Sequence, residues 1–128
     1  MIHNAINAVL EAVEERFGAE VKECRYYKGE FEEGSQWNPV FPIVLANCTA
    51  LTPEQTSQKG WIARKAALGV YVGLQLDDED QQQFFTEFIE WLTTLFLEGY
   101  ELEVQAVNLL GYFNGIEAYK FDLTVVQR

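Results

Sequence analysis

Between Leu68 and Phe96 the spacing of apolar residues changes from two to about 3.6, and this change constrains the fold more than any other feature of the chain. Leu68, Val70, Val72, Leu74 and Leu76 alternate with Gly69, Tyr71, Gly73 and Gln75, the pattern of a strand with one buried face. The opposite face is partly polar and partly stripped of side chains. Phe84, Phe85, Phe88, Ile89, Leu92, Leu95 and Phe96 then fall along one side of a helix. A strand that passes directly into a helix, each with one apolar face, must bury both faces in a common core.

Four acids, Asp77, Asp78, Glu79 and Asp80, stand at the junction. Asp77 or Asp78 suits the helix N-cap, and Asp78 with Gln81 three residues on resembles a capping box. The remaining acids sit in the first turn, where each favours the helix dipole by ~0.3–1 kcal/mol before mutual repulsion. A metal site needs converging ligands, and Glu87 and Glu90 lie at least a turn further on. The cluster is therefore read first as a helix start. Its second reading is an assembly site, in which Asp77 to Asp80 bridge to a neighbouring subunit through Mg²⁺.

The other elements follow from the same periodicities. Ile2, Ile6, Val9, Leu10, Val13 and Phe17 form the buried face of a first helix, with Gly18 as a left-handed stop. "EVKECRYYKG" reads as a strand ending near Lys28-Gly29, with one of Tyr26 and Tyr27 exposed. "GEFEEGSQWNP" is an excursion in which Trp37 is either an anchor for a partner or a plug over the core. "VFPIVLANCTAL" is a second strand, with Pro42 at a sheet edge or outside the ladder. "TPEQTSQKG" is a polar loop, after which Trp61 caps a strand end. Gly99 ends the second helix, and Trp91, beside its stripe, either widens the core face or marks a subunit contact. "ELEVQAVNLLGYF" and "IEAYKFDLTVVQR" flank Asn114-Gly115, the pair preferred in a two-residue hairpin. Leu102 and Val104 are out of phase with Val107 and Leu109, which predicts a bulge near Gln105 to Val107. The order is helix, three strands, helix, hairpin. It predicts one α+β domain over residues 1–128, with two helices on one face of a mainly antiparallel sheet of about five strands.

Charge and missing residue types narrow the function. Twenty acids against nine bases give −11, and from Ala66 to Tyr119 there are ten acids and no Lys or Arg. Such a chain repels phosphates, so sequence-specific nucleic-acid binding is not expected. With His3 as its single histidine, the chain lacks a general base for Ser-His-Asp or Cys-His catalysis and the ligands of a His-based metal site. "GVYVG" and "GYFNG" lack the lysine and following helix of a phosphate loop. Twenty acids offer many carboxylate pairs, yet so small a domain has little room for a sugar cleft. No enzymatic activity and no cofactor is expected. Cys24 and Cys48 are too few for a zinc site and are expected to be free, buried thiols. No apolar run approaches the ~20 residues that span a bilayer, and acids interrupt the N-terminal stretch where a signal would be apolar. A cytoplasmic, membrane-free protein is expected.

An N-terminal helix, then "CRYYKGEFEEG", a Pro-flanked strand "PVFPIVLANC", a strand feeding a second helix and a closing hairpin together resemble the small tail proteins of Mu-like phages and prophages. Members of that group carry a similar Tyr-x-Gly-Glu stretch, here Tyr27-Lys28-Gly29-Glu30, before a Pro-led strand. The layout is similar to that of the tail terminators of long-tailed phages. The resemblance implies a structural subunit without catalytic residues. It would form a ring with its own copies, usually hexameric, on the head-proximal end of the tail tube, stop tube growth and meet head-connector proteins. It implies a place in the virion tail after assembly in a bacterial cytoplasm. Within that reading the interaction residues are Tyr27, Glu30, Glu32, Glu33, Trp37, Asp77, Asp78 and Asp80. The alternatives are an acidic adaptor or inhibitor for a basic protein partner, and a small hydrolase or ligand-binding domain with a deep pocket.

Overall fold

Ile6, Val9, Leu10, Val13 and Phe17 lie on one side of a sixteen-residue helix and are all buried. This is helix α1 (Ile2–Phe17) in a computed structural model that describes residues 2–31, 40–55, 61–113 and 115–128. The helix is followed by β1 (Glu23–Tyr26), β2 (Ile43–Gln55), β3 (Trp61–Gln75), α2 (Glu79–Thr93), β4 (Tyr100–Phe113) and β5 (Ile116–Gln127). The five strands form one sheet in the order β1-β2-β3-β5-β4. β1 runs parallel to β2, and every other pair is antiparallel. Two helices on a mainly antiparallel five-stranded sheet make the α+β class expected from the sequence.

Both helices cover the same sheet face. Val44, Ala46, Leu68, Val70, Val72, Leu74, Phe121, Leu123 and Val125 meet Val9, Val13 and Phe17 of α1 and Phe84, Phe85, Phe88 and Leu92 of α2 in one buried cluster. Aromatic rings knit the helices to each other and to the sheet: Phe17 of α1 stands edge-on to Phe84 of α2 at 5.3 Å, and Phe88 edge-on to Phe121 of β5 at 5.4 Å. Trp91 joins this cluster edge-on to Phe17, so it widens the core face.

The second face is also partly closed, by Phe31 from the stretch read as an excursion and by Tyr27 and Phe41 from the stretches on either side of it. Phe31, Ile43, Leu45, Tyr71 and Ala118 are buried there, with Tyr27 and Phe41 packed on them. Gly73 makes this cover possible. A Cβ at Gly73 would lie 2.7 Å from the Phe41 ring and 2.8 Å from Phe31. Tyr27 stacks on Tyr71 with ring centroids 3.8 Å apart, and the Tyr26 hydroxyl donates to Asn7 Oδ1 at 3.0 Å. Both tyrosines are half-buried, which corrects the expectation that one is exposed.

Several boundaries differ from the sequence reading. Gly18 lies outside the left-handed region occupied by Gly29, Gly99, Gly111 and Gly115. It is a close-approach position instead, because a Cβ there would sit 2.4 Å from the Glu14 carbonyl oxygen. α2 stops at Thr93, before Gly99, and the Thr93 and Thr94 hydroxyls donate back to the Glu90 carbonyl. Gly99, at φ 86°, belongs to the tight turn between Leu97 and Tyr100. Leu76 leaves the strand alternation and is exposed, since β3 ends at Gln75 and Asp77 turns the chain at φ 62°. The start of "TPEQTSQKG" is strand, because β2 continues to Gln55 opposite Trp61 through register shifts at Cys48/Ala50 and Thr52/Pro53. Pro42 precedes the ladder, after a cis Phe41–Pro42 bond, and its carbonyl accepts from Lys22 N–H at 2.8 Å.

Candidate functional site

Each acid at the β3–α2 junction has a distinct local position. Asp78 is the N-cap of α2, and its Oδ1 accepts from Gln81 N–H at 3.0 Å. Gln81 completes a variant of the capping box: its Oε1 accepts from Gln75 N–H at 2.6 Å, at the end of β3. Glu79 and Asp80 occupy the first turn, exposed and aligned with the helix dipole. Asp78 and Asp80 also line an open depression of about 320 Å³ with Glu20, Lys22, Phe41, Pro42, Gln81 and Phe84. Among the described residues no three His, Cys, Asp or Glu side chains converge as metal ligands.

Near β1 the sequence-selected residues have internal partners. Glu30 is almost fully buried at its side chain, where Oε2 pairs with Arg25 Nη1 at 2.7 Å and Oε1 accepts from Lys28 N–H at 2.6 Å. Tyr27 belongs to the aromatic cover over Tyr71. These contacts fold the Tyr-x-Gly-Glu stretch back on β1. Glu32, Glu33 and Trp37 lie outside the described residues. The structure thus places Tyr27 and Glu30 together beside β1, and Asp77, Asp78 and Asp80 together at the start of α2.

The sheet edges contain the surface that sequence reasoning did not single out. β4 is an outer strand of fourteen residues, and from Gln105 to Leu110 every residue is exposed. Its apolar side chains Val107, Leu109, Leu110 and Tyr112 are 37%, 47%, 40% and 63% exposed. An outer strand this long and apolar is a template for pairing with another chain. Two register shifts, at Val104/Ala106 and Leu109/Gly111, lie along it. The first is the predicted bulge. Tyr100, Leu102 and Val104 pack on the core beneath the helices, whereas beyond Val104 the shifted register leaves apolar side chains exposed. The signal was present in "AVNLLGYF", whose apolar content exceeds what one buried face requires.

The far edge has a different composition. Among the described residues β1 pairs with β2 from Ile43 to Ala46. Lys22 and Lys28 flank β1, and Arg64 and Lys65 lie at the near end of β3; all four are exposed. At the β4 edge Glu98, Glu101 and Glu103 are exposed, and Arg128 Nε lies 3.8 Å from Glu101 Oε1.

The thiols are separate and internal in character. Cys24 and Cys48 are free and half-buried, and Cys24 Sγ donates to the Leu10 carbonyl at 3.4 Å. Burial, and secondarily the Glu14 carboxylate, pushes the Cys24 thiol up to about 12. A thiol held in that state is a poor nucleophile. Among the described residues no helix is long and apolar enough to cross a membrane. No protein-family model matches the chain, and no curated protein matches it either.

Proposed function

We propose that this chain is a structural subunit of a phage or prophage tail. It is a terminator-like protein that closes into a ring on the end of the tail tube and acts through protein contacts alone. The observation that carries this reading is the exposed apolar segment along the outer strand β4, at Val107, Leu109, Leu110 and Tyr112. A ring subunit needs two different surfaces that fit each other, and the apolar segment of β4 would supply one of them. The charge distribution fits a ring that DNA passes through. Ten acids without a base between Ala66 and Tyr119 would repel phosphates from a pore wall, where a basic lumen would retain them. Two of the candidate interaction residues also have internal contacts: Asp78 caps the start of α2, and Glu30 pairs with Arg25 of β1.

The test is tube growth. Added to polymerising tail-tube subunits from the same genome, the protein should bind one tube end and stop elongation, seen as short, capped tubes by electron microscopy. Tubes of unchanged length with no end-bound density would contradict the reading. The base-free acidic stretch also fits an adaptor for a basic partner, and that reading predicts no ring at any salt concentration.

A further inference from the structure

Glu117 is a buried carboxylate that faces no cation among the described residues. The residue is 8% exposed, and its partners are neutral: Gln82 Nε2 donates to Oε2 at 3.0 Å, and the Tyr119 hydroxyl donates to Oε1. By contrast, Glu30 has Arg25 against it. Two neutral donors satisfy part of a carboxylate's acceptor capacity and leave its charge uncompensated, which is costly away from water.

This carboxylate lies at the inner side of an apolar groove. Tyr112, Leu109 and Val107 of β4 stand opposite Glu117, Tyr119 and Phe121 of β5, hence on the face that carries the helices. α2 covers the β5 row, with Phe85 stacked on Tyr119 at 4.3 Å and edge-on to Phe121 at 5.8 Å. Val107, Leu109 and Tyr112 are left exposed beside it. Glu101 and Glu103 stand opposite Val126 and Thr124, so they belong to the other face, where Lys120 and Asp122 pair with each other at 3.2 Å. Glu117 is therefore the charge that an occupant of this groove would meet.

The chain itself carries a base suited to that charge. Arg25, Lys120 and Arg128 each have a carboxylate partner, whereas Arg64 and Lys65 are exposed and make no ion pair among the described residues. β3 pairs with β5 from Lys65 onward, while Trp61 to Ala63 pair with β2, at Gln55 to Pro53, beyond the last rung to β5. A two-stranded ribbon thus leaves the sheet there, and such ribbons have little stability of their own. Arg64 is the extra residue of the register shift at its base, between the Lys65 and Ala63 rungs, and a bulge of this kind redirects a side chain.

We infer that the groove between α2 and β4 receives the β2–β3 ribbon of a second copy, with Arg64 on Glu117 and apolar contact along Val107, Leu109 and Tyr112. A guanidinium matches a carboxylate with two parallel hydrogen bonds and stacks on an aromatic ring such as Tyr112. This pairing rests on the ring-subunit reading and names its contact. Groove and ribbon are different parts of the chain, so the contact is heterologous, as a ring requires.

The test uses the sign of the charge effect. Removing one negative charge from a chain of −11 should ease repulsion between copies, and Glu87→Gln, at an exposed position of α2, measures that general effect. Glu117→Gln should instead weaken association about tenfold, the share of a charged hydrogen bond. Arg64→Gln should weaken it as much, beyond the loss caused by Lys22→Gln, which changes net charge equally at another exposed base. Glu117→Gln and Arg64→Gln combined should be no worse than either alone. Light-scattering mass against concentration gives the association, and circular dichroism establishes that each variant is folded. An assembly that Glu117→Gln strengthens as Glu87→Gln does overturns the pairing and leaves the ring reading standing. A loss in Glu117→Gln with none in Arg64→Gln beyond its control overturns the ribbon as occupant in favour of another base. A wild type that stays monomeric at every salt concentration overturns the pairing and the ring together.

Discussion

Asp78 shows how one carboxylate can account for a conspicuous cluster. Its Oδ1 satisfies a backbone N–H that the first turn of α2 would otherwise leave without a partner. Asp78→Ala should lower stability by ~1 kcal/mol, within the ~0.5–2 kcal/mol measured for such caps. Asp80→Ala should cost no more than ~0.3–1 kcal/mol, the dipole share of an exposed first-turn acid. Urea unfolding of both variants gives the comparison, and equal losses would show that the cap is not special. Cys24 offers a second residue-scale test. Its folded value of about 12 lies above the ordinary 9.0, so the fold favours the neutral thiol. That contribution is complete below pH 9 and is lost as pH rises from 9 toward 12. The stability difference between wild type and Cys24→Ala should therefore shrink across that window. Near pH 8 an alkylating reagent should label Cys48 well before Cys24, as read by peptide mass spectrometry. Equal labelling would contradict the buried, neutral state of Cys24.

At the scale of elements, period and turn chemistry made most of the fold legible. The switch of period at Leu76 located β3 and α2, and Asn114-Gly115 located the hairpin, with Phe113 opposite Ile116 and Gly115 at φ 81°. Element ends were harder to read, because they depend on contacts far away in sequence or on carbonyls. Gly18 looked like a left-handed stop, yet it is glycine for lack of space beside the Glu14 carbonyl. Gly18→Ala should therefore destabilise the protein by ~1–3 kcal/mol, as overpacking does, seen as a lower melting temperature. An unchanged melting temperature would contradict the close approach. The second core was hidden for the same reason: Phe31 and Phe41 sit over Gly73, and nothing local to any of the three announces it. β4 was assigned correctly as a strand, and the surplus of apolar residues in "AVNLLGYF" was visible, but which of them stay exposed was not legible. That exposure follows from its outer place in the sheet order, which periodicity does not encode. The candidate site divides in the same way. The acids at the start of α2 were visible in the sequence, whereas the outer place of β4 exists only in the assembled ladder.

For the whole molecule, charge sets the condition under which copies can meet. Each subunit carries −11, so copies repel one another until salt screens them, over ~10 Å at 0.1 M and ~3 Å at 1 M. Assembly should therefore strengthen as salt is added, opposite to an interface held mainly by surface ion pairs. The apolar segment of β4 would supply the attraction that remains. If Asp77 to Asp80 also bridge copies through Mg²⁺, then Mg²⁺ should promote assembly beyond its ionic strength, and Asp77→Ala/Asp78→Ala should abolish that excess. The most direct test of the ring is the light-scattering mass of the wild-type protein after size exclusion, at low salt and again with added salt. The account predicts a shift from smaller species to one discrete ring, near six times 14.7 kDa if the number is that of the tail terminators it resembles. A monomer of 14.7 kDa under every condition would contradict it.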